Sequence, residues 1–142
     1  MTFQPAKFGK VAYTALQHLR TEYEQHEPKS KHKETFQEIW SQSVEIYTYL
    51  STWGILRLKA EQTALEKQPV KQKVVEVFFQ CLQELEPVQG KDFSVANPAG
   101  LNNLKGLETT DYLGVTGLAL ALAQEFSFWA NAVYPSSDRK TS

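Results

Sequence analysis

The chain has 142 residues, 42% of them hydrophobic and 22% charged, with a net charge of −1 at pH 7. These values fit one domain with a sizeable core and exclude a uniformly basic coat for nucleic acid. A single cysteine, Cys81, excludes an internal disulfide and any cysteine-based metal cluster.

Met1-Thr-Phe-Gln-Pro contains no apolar stretch of the kind a secretory signal needs, so a cytoplasmic location is expected. In the segment that follows, Phe8, Val11, Ala12, Ala15, Leu16, Leu19 and Tyr23 repeat at three- and four-residue spacing, the mark of a one-faced helix. Pro28 and the polar Lys29–Lys33 run read as a loop. A second helix is expected from about Thr35, with Phe36, Ile39, Trp40, Tyr47 and Leu50 mostly on one side. Ser51-Thr52-Trp53-Gly54 offers a break, with Thr52 as a cap for a third helix carrying Ile55, Leu56, Leu58, Ala60 and Leu65. Kinked and separate helices both fit this pattern.

Pro69 suits the first turn of a fourth helix, along which Val70, Val74, Val77, Phe78, Cys81, Leu82 and Leu85 recur until Pro87 stops it. Residues 86–108, rich in Gly, Asn and Pro, read as a long connection of the kind that often carries function. Thr109 or Thr110 then caps the last helix, with Asp111 near its positive end. After Tyr134 a polar, frayed tail is expected over residues 136–142. The expectation is an all-α fold, a compact bundle of about five helices over residues 1–135, with the apolar C-terminal helix central.

That last helix carries one formal charge, Glu125, between Tyr112 and Tyr134. A helix apolar on every side has to be buried, in a core, in a membrane or against a partner. Gly114, Thr116, Gly117, Gln124, Glu125, Ser127 and Asn131 interrupt it, and the longest unbroken apolar run is Leu118–Ala123. These interruptions argue against a membrane span and for a helix buried in the bundle. Gly114 and Gly117 are expected to admit neighbouring helices close to its backbone.

Catalytic patterns are missing. His18, His26 and His32 have no pair at metal-binding helical spacing. Gly9-Lys10 lacks the frame of a phosphate loop, and Gly114-Val-Thr-Gly117 follows no strand. Glu125 is either a buried carboxylate with a raised pKa or one that reaches the surface or a basic partner. The expectation is a non-enzyme with no cofactor and no metal.

Charge is sorted into blocks. Glu22, Glu24 and Glu27, then Glu34, Glu38 and Glu45, then Glu76, Glu84 and Glu86 gather the acids. Arg57, Lys59, Lys67, Lys71 and Lys73 form one basic block, Lys10 and Arg20 belong to a weaker one, and Lys29, Lys31 and Lys33 form a third. If the third and fourth helices are antiparallel, the first block makes one strip of cations that would hold phosphates without reading sequence. The same clustering also describes a solvated helix face.

The order of features resembles a known family. Lys10-Val-Ala-Tyr13 leads to Tyr47-Thr-Tyr-Leu-Ser-Thr-Trp-Gly-Ile-Leu-Arg-Leu58, and the chain closes on Asp111-Tyr112, Ala119-Leu-Ala-Leu122 and Phe128-Trp-Ala-Asn-Ala-Val133. This is similar to the small, all-helical subunit of type III CRISPR–Cas effector complexes, particularly the Cmr (III-B) kind. Gly54-Ile55 matches that family's opening of a middle helix, and Trp129-Ala-Asn-Ala132 its terminal aromatic–alanine ending.

The resemblance implies a non-catalytic subunit that stacks along a ribonucleoprotein filament. Its partners would be guide RNA and target nucleic acid, touched at the backbone, together with other effector subunits and adjacent copies of itself. Arg57, Lys59, Lys67, Lys71 and Lys73 are the expected contacts, with Lys10 and Arg20 as a second patch. Where family members carry basic residues before the terminal aromatic, this chain has Ser127 and Phe128. Phe126, Phe128 and Trp129 are therefore expected at a subunit interface. The alternative is a helical protein-interaction module that binds no nucleic acid.

Overall fold

The computed structural model of the chain describes residues 5–85 and 90–140. Residues 1–4, 86–89 and 141–142 lie outside the described residues, and with them Glu86, the stop at Pro87 and the end of the tail. Six α-helices pack together: α1 (Pro5–His26), α2 (His32–Trp53), α3 (Ile55–Ala64), α4 (Pro69–Leu85), α5 (Ala99–Lys105) and α6 (Thr109–Val133). The all-helical class follows the apolar spacing, but the count is six because part of the presumed loop folds as α5.

The turn between α1 and α2 is held by side chains. Pro28 disfavours helix at the residue before it, and a 3-10 turn over Lys29–Lys31 follows. The His32 ring meets the Glu27 carbonyl at 2.9 Å, and the buried Thr35 hydroxyl donates to Glu27 Oε1 at 2.6 Å. Helix α2 therefore begins at His32, one turn before the expected start.

Helices α2 and α3 are separate. Gly54 takes φ +88°, a region that an L-side chain occupies only with strain, so it ends α2 and starts α3. Thr52 lies inside α2 and caps nothing.

Residues 90–105 are knit to the bundle by side-chain amides. Asn97 Nδ2 donates to the Lys59 carbonyl at 2.8 Å, Asn103 Nδ2 to the Asp92 carbonyl at 2.6 Å, and the Phe93 amide to Gln83 Oε1 at 3.1 Å. Phe93 and Leu104 are fully buried, which contributes roughly 1.5–3 kcal/mol for each side chain. That burial outweighs the poor helix propensity of Asn102 and Asn103.

Helix α6 packs along α1 and α2 and meets α4, while α3 packs on α4 and α5. Its buried side is Val115, Ala119, Leu122, Ala123, Phe126, Ala130 and Val133. Phe126 sits edge-on to Phe78 of α4, with ring centroids 5.3 Å apart. At its C-terminal end, the buried Tyr134 hydroxyl donates to the Leu16 carbonyl at 2.8 Å. The tail does not fray up to residue 140: the Arg139 guanidinium lies 3.8 Å from the Trp40 ring centroid, and the Lys140 amide donates to the Lys33 carbonyl.

Candidate interaction surfaces

The expected cation strip is divided by the fold. Lys59 points inward and has no exposed surface. Its ammonium donates to Gln62 Oε1 at 2.9 Å and lies 4.8 Å from the Phe79 ring centroid. Burial lowers its pKa to about 8, against the opposing pull of Glu76 and Asp92. Lys59 is thus a core residue and is withdrawn from the phosphate-facing set. Gln62, its acceptor three residues along the same helix, is also buried.

Arg57 is exposed and stacks on Trp53, 4.1 Å from the ring centroid. Lys71 is half-buried, and it borders with Trp53, Tyr49, Glu45 and Glu61 a groove of about 380 Å³ between α2 and the α3–α4 corner. Lys67 is exposed in the α3–α4 turn. Lys71 thus lies at this groove among the carboxylates Glu45 and Glu61, Arg57 reaches its edge through Trp53, and Lys67 stands in the neighbouring turn. Lys73 faces elsewhere: it pairs with Glu76 at 3.6 Å and, with Lys10 and Lys7, lines a trough between α1 and α4.

Arg20 is a structural clamp. Its guanidinium donates to the Val133 carbonyl and to Asp138 Oδ2 at 3.0 Å, and lies 4.6 Å from the Phe36 ring centroid. These contacts join α1, α2 and the end of α6, so the cation is occupied. The periodicity of α1 already placed Arg20 next to Leu16 and Leu19, at the edge of the buried stripe.

The three aromatic residues expected at an interface separate as well. Phe126 is fully buried against α4 and belongs to the core. Trp129 is half-buried, edge-on to Tyr13 with centroids 5.2 Å apart. Phe128 is 62% exposed.

Phe128 belongs to an outward face that the sequence pattern hid. Along α6, Thr110, Leu113, Gly114, Gly117, Gln124, Phe128, Asn131 and Ala132 are exposed, with Leu120 and Ala121 half-buried among them. The strip runs about 27 Å from Leu113 to Asn131 at 1.5 Å per residue. The exposed Asp111 stands just before it and the half-buried Glu125 at its edge, and no basic residue lies on it. Leu113 is 63% exposed. Nothing lies within 4 Å of a Cβ placed on Gly114 or Gly117, so these glycines open to the outside and admit no helix of the same chain. That reverses the expectation for both. By length and composition α6 is apolar enough to cross a membrane, and 33% of its most apolar window is buried inside the protein. Because α6 carries only Asp111 and Glu125 as charges, hydropathy alone does not say which side faces the core.

Among the described residues no group of three or more His, Cys, Asp and Glu side chains is placed to hold a metal ion. His18 and His26 are exposed, and His32 stacks on Phe36. Cys81 is buried and its thiol is pushed up to about 12 by desolvation, with Glu84 adding to the effect, which suppresses the nucleophilic thiolate. Glu125 is half-buried beside Gly9: a Cβ on Gly9 would lie 2.7 Å from its Oε1. Comparison of the chain with family models, curated proteins and solved structures gives no match.

Proposed function

We propose that this chain is a non-catalytic subunit of an RNA-guided ribonucleoprotein effector of the type III kind, held in its assembly by the outer face of α6. The observation that carries the reading is the solvent-facing strip from Leu113 to Asn131, free of basic residues, in a chain that is 22% charged. Exposed apolar side chains such as Leu113 and Phe128, with the half-buried Leu120 and Ala121 between them, suit an interaction site. In this reading α6 is the central element twice over, with core on one side and a neighbouring subunit on the other. The terminal-helix pattern Ala119-Leu-Ala-Leu122 and Trp129-Ala-Asn-Ala132 supports the family assignment.

Contact with the guide–target duplex falls to Arg57, Lys67 and Lys71, which lie off α6. Such cations neutralise phosphates without reading bases, and the exposed Trp53 beside Arg57 offers a stacking surface for an unpaired base. The experiment is co-purification of the tagged chain with reconstituted effector subunits and guide RNA. Recovery of a stoichiometric complex containing the RNA supports the reading, and recovery of the chain alone defeats it.

A second reading is favoured by the burial of Lys59, which cuts the cation strip. In that reading the chain is a helical scaffold that joins protein subunits and touches no nucleic acid. A complex that forms equally well without guide RNA, and that ribonuclease leaves intact, would select it.

A further inference from the structure

Helices α1 and α4 enclose an open trough of about 640 Å³. Its floor is apolar, made by Val11 and Ala15 of α1 and by Val77 and Cys81 of α4. Its two ends carry opposite charge. Late α1 meets early α2 at Arg20 and Phe36, and early α4 meets late α2 at Lys71 and Tyr49. Helices α1 and α4 therefore run parallel, with Lys7, Lys10 and Lys73 towards one end and Glu22 and Glu84 towards the other. The ends are sorted because Lys7 and Glu22 open and close the same stretch of α1 while Lys73 and Glu84 do the same on α4. Among the described residues no ion pair engages Lys7, Lys10, Glu22 or Glu84, and Lys73 meets only its neighbour Glu76. Along α1 the trough extends about 22 Å, or four helical turns.

We propose that this trough takes one amphipathic α-helix of a partner protein. The occupant would set an apolar stripe on the floor, acidic residues against Lys7, Lys10 and Lys73, and basic residues against Glu22 and Glu84. Two parallel helices with an apolar gap between them are the surface into which a third helix packs, anchored at positions i, i+3, i+4 and i+7. The charge order suits a helix with acids in its first turn and bases in its last, the arrangement its own dipole favours. It also disfavours a nucleic-acid strand, because Glu22 and Glu84 would repel the phosphates that the lysines attract. The site is separate from the outer face of α6 and from Arg57, Lys67 and Lys71, so it stands or falls independently of nucleic-acid contact.

The test uses two synthetic 16-residue helical peptides with one shared apolar stripe, titrated by fluorescence anisotropy against the full chain. The first has Glu in its first turn and Lys in its last, and the second has Lys at both ends. The wild-type chain is expected to bind the first peptide at least ten-fold tighter than the second. The double variant Lys10→Glu/Lys73→Glu is expected to invert that preference. Ala15→Gln, which keeps helix propensity and fills the floor, should weaken both at least ten-fold with an unchanged circular dichroism spectrum. Absence of binding at 1 mM peptide, or a preference indifferent to the charge swap, would overturn the proposal. So would displacement of both peptides by laurate at a concentration that leaves the charge variants equally occupied, which would mark a small-molecule pocket.

Discussion

Lys59 runs so close beneath Gly100 that a methyl group at residue 100 would lie 2.5 Å from Lys59 Cε and 3.0 Å from Nζ. The Val95 carbonyl closes the same space from the backbone side. The residue that the charge pattern marks for a phosphate is thus the support on which α5 is laid. Gly100→Ala is expected to destabilise the chain by about 1–3 kcal/mol through overpacking. Chemical denaturation of the two proteins checks this, and an unchanged midpoint would refute the close approach.

The Lys59 ammonium also sets a pH dependence. Its pKa falls from 10.5 to about 8 on folding, chiefly through desolvation. The unfolded chain therefore holds this proton more tightly than the folded one, and stability rises as pH climbs from about 8 towards 10.5. Below pH 8 both states are protonated and the full penalty applies, on the order of 3 kcal/mol. Lys59→Met should remove that slope and raise stability at pH 7 by about 1–2 kcal/mol. Burial also raises the pKa of Tyr23, Tyr49 and Tyr134. Their effect above pH 10 is common to both proteins and cancels in the difference.

Arg20 ties the end of α6 to α1. Arg20→Met is expected to cost about 1.5–3 kcal/mol, the range for hydrogen bonds to a charged group. Asp138→Asn removes only a partly exposed ion pair and should cost under about 1 kcal/mol. Thermal unfolding of both variants gives the comparison. Equal losses would mean that the Val133 carbonyl contributes nothing to the clamp.

Nucleic-acid contact has a distinct signature in salt. For a short RNA duplex bound to the assembled complex, the slope of log affinity against log salt should fall by about 1 for each phosphate contact removed. Lys67→Glu/Lys71→Glu is expected to reduce the slope by about 2 on that basis, while Lys59→Met leaves it unchanged. A slope indifferent to Lys67 and Lys71 would remove them from the duplex-facing set.

The helical framework was legible because Leu16, Ile39, Phe78 and Leu122 recur at helical spacing with their neighbours and all of them are buried, although on α2 the expected Tyr47 is exposed and Ile46 takes the inward place. Pro69 at the head of α4 and Asp111 in the first turn of α6 were equally readable, but Thr109 and Thr110 lie inside α6 and Glu108 holds the N-cap position without a side-chain cap bond. Three features depended on contacts distant in sequence and were not legible. Helix α5 forms because Asn97 and Asn103 find the Lys59 and Asp92 carbonyls and Leu104 finds the core. The inward turn of Lys59 depends on Phe79 and Gly100, which no local pattern links to it, as well as on Gln62 one turn along α3. The orientation of α6 depends on how α1 and α2 pack, because Asp111 and Glu125 are too few charges to mark the outside of the helix.

In the proposed assembly the outer face of α6 holds the chain to its neighbour, and a two-residue change probes that contact. Leu113 and Phe128 are the most exposed large apolar side chains of that strip, so Leu113→Glu/Phe128→Glu should leave the fold intact. Circular dichroism and the thermal midpoint establish that point first. Size-exclusion chromatography of the reconstituted complex then reads incorporation. The wild-type chain is expected to elute with the guide RNA and the effector subunits, and the folded variant to elute alone. Undiminished incorporation of the variant would contradict it.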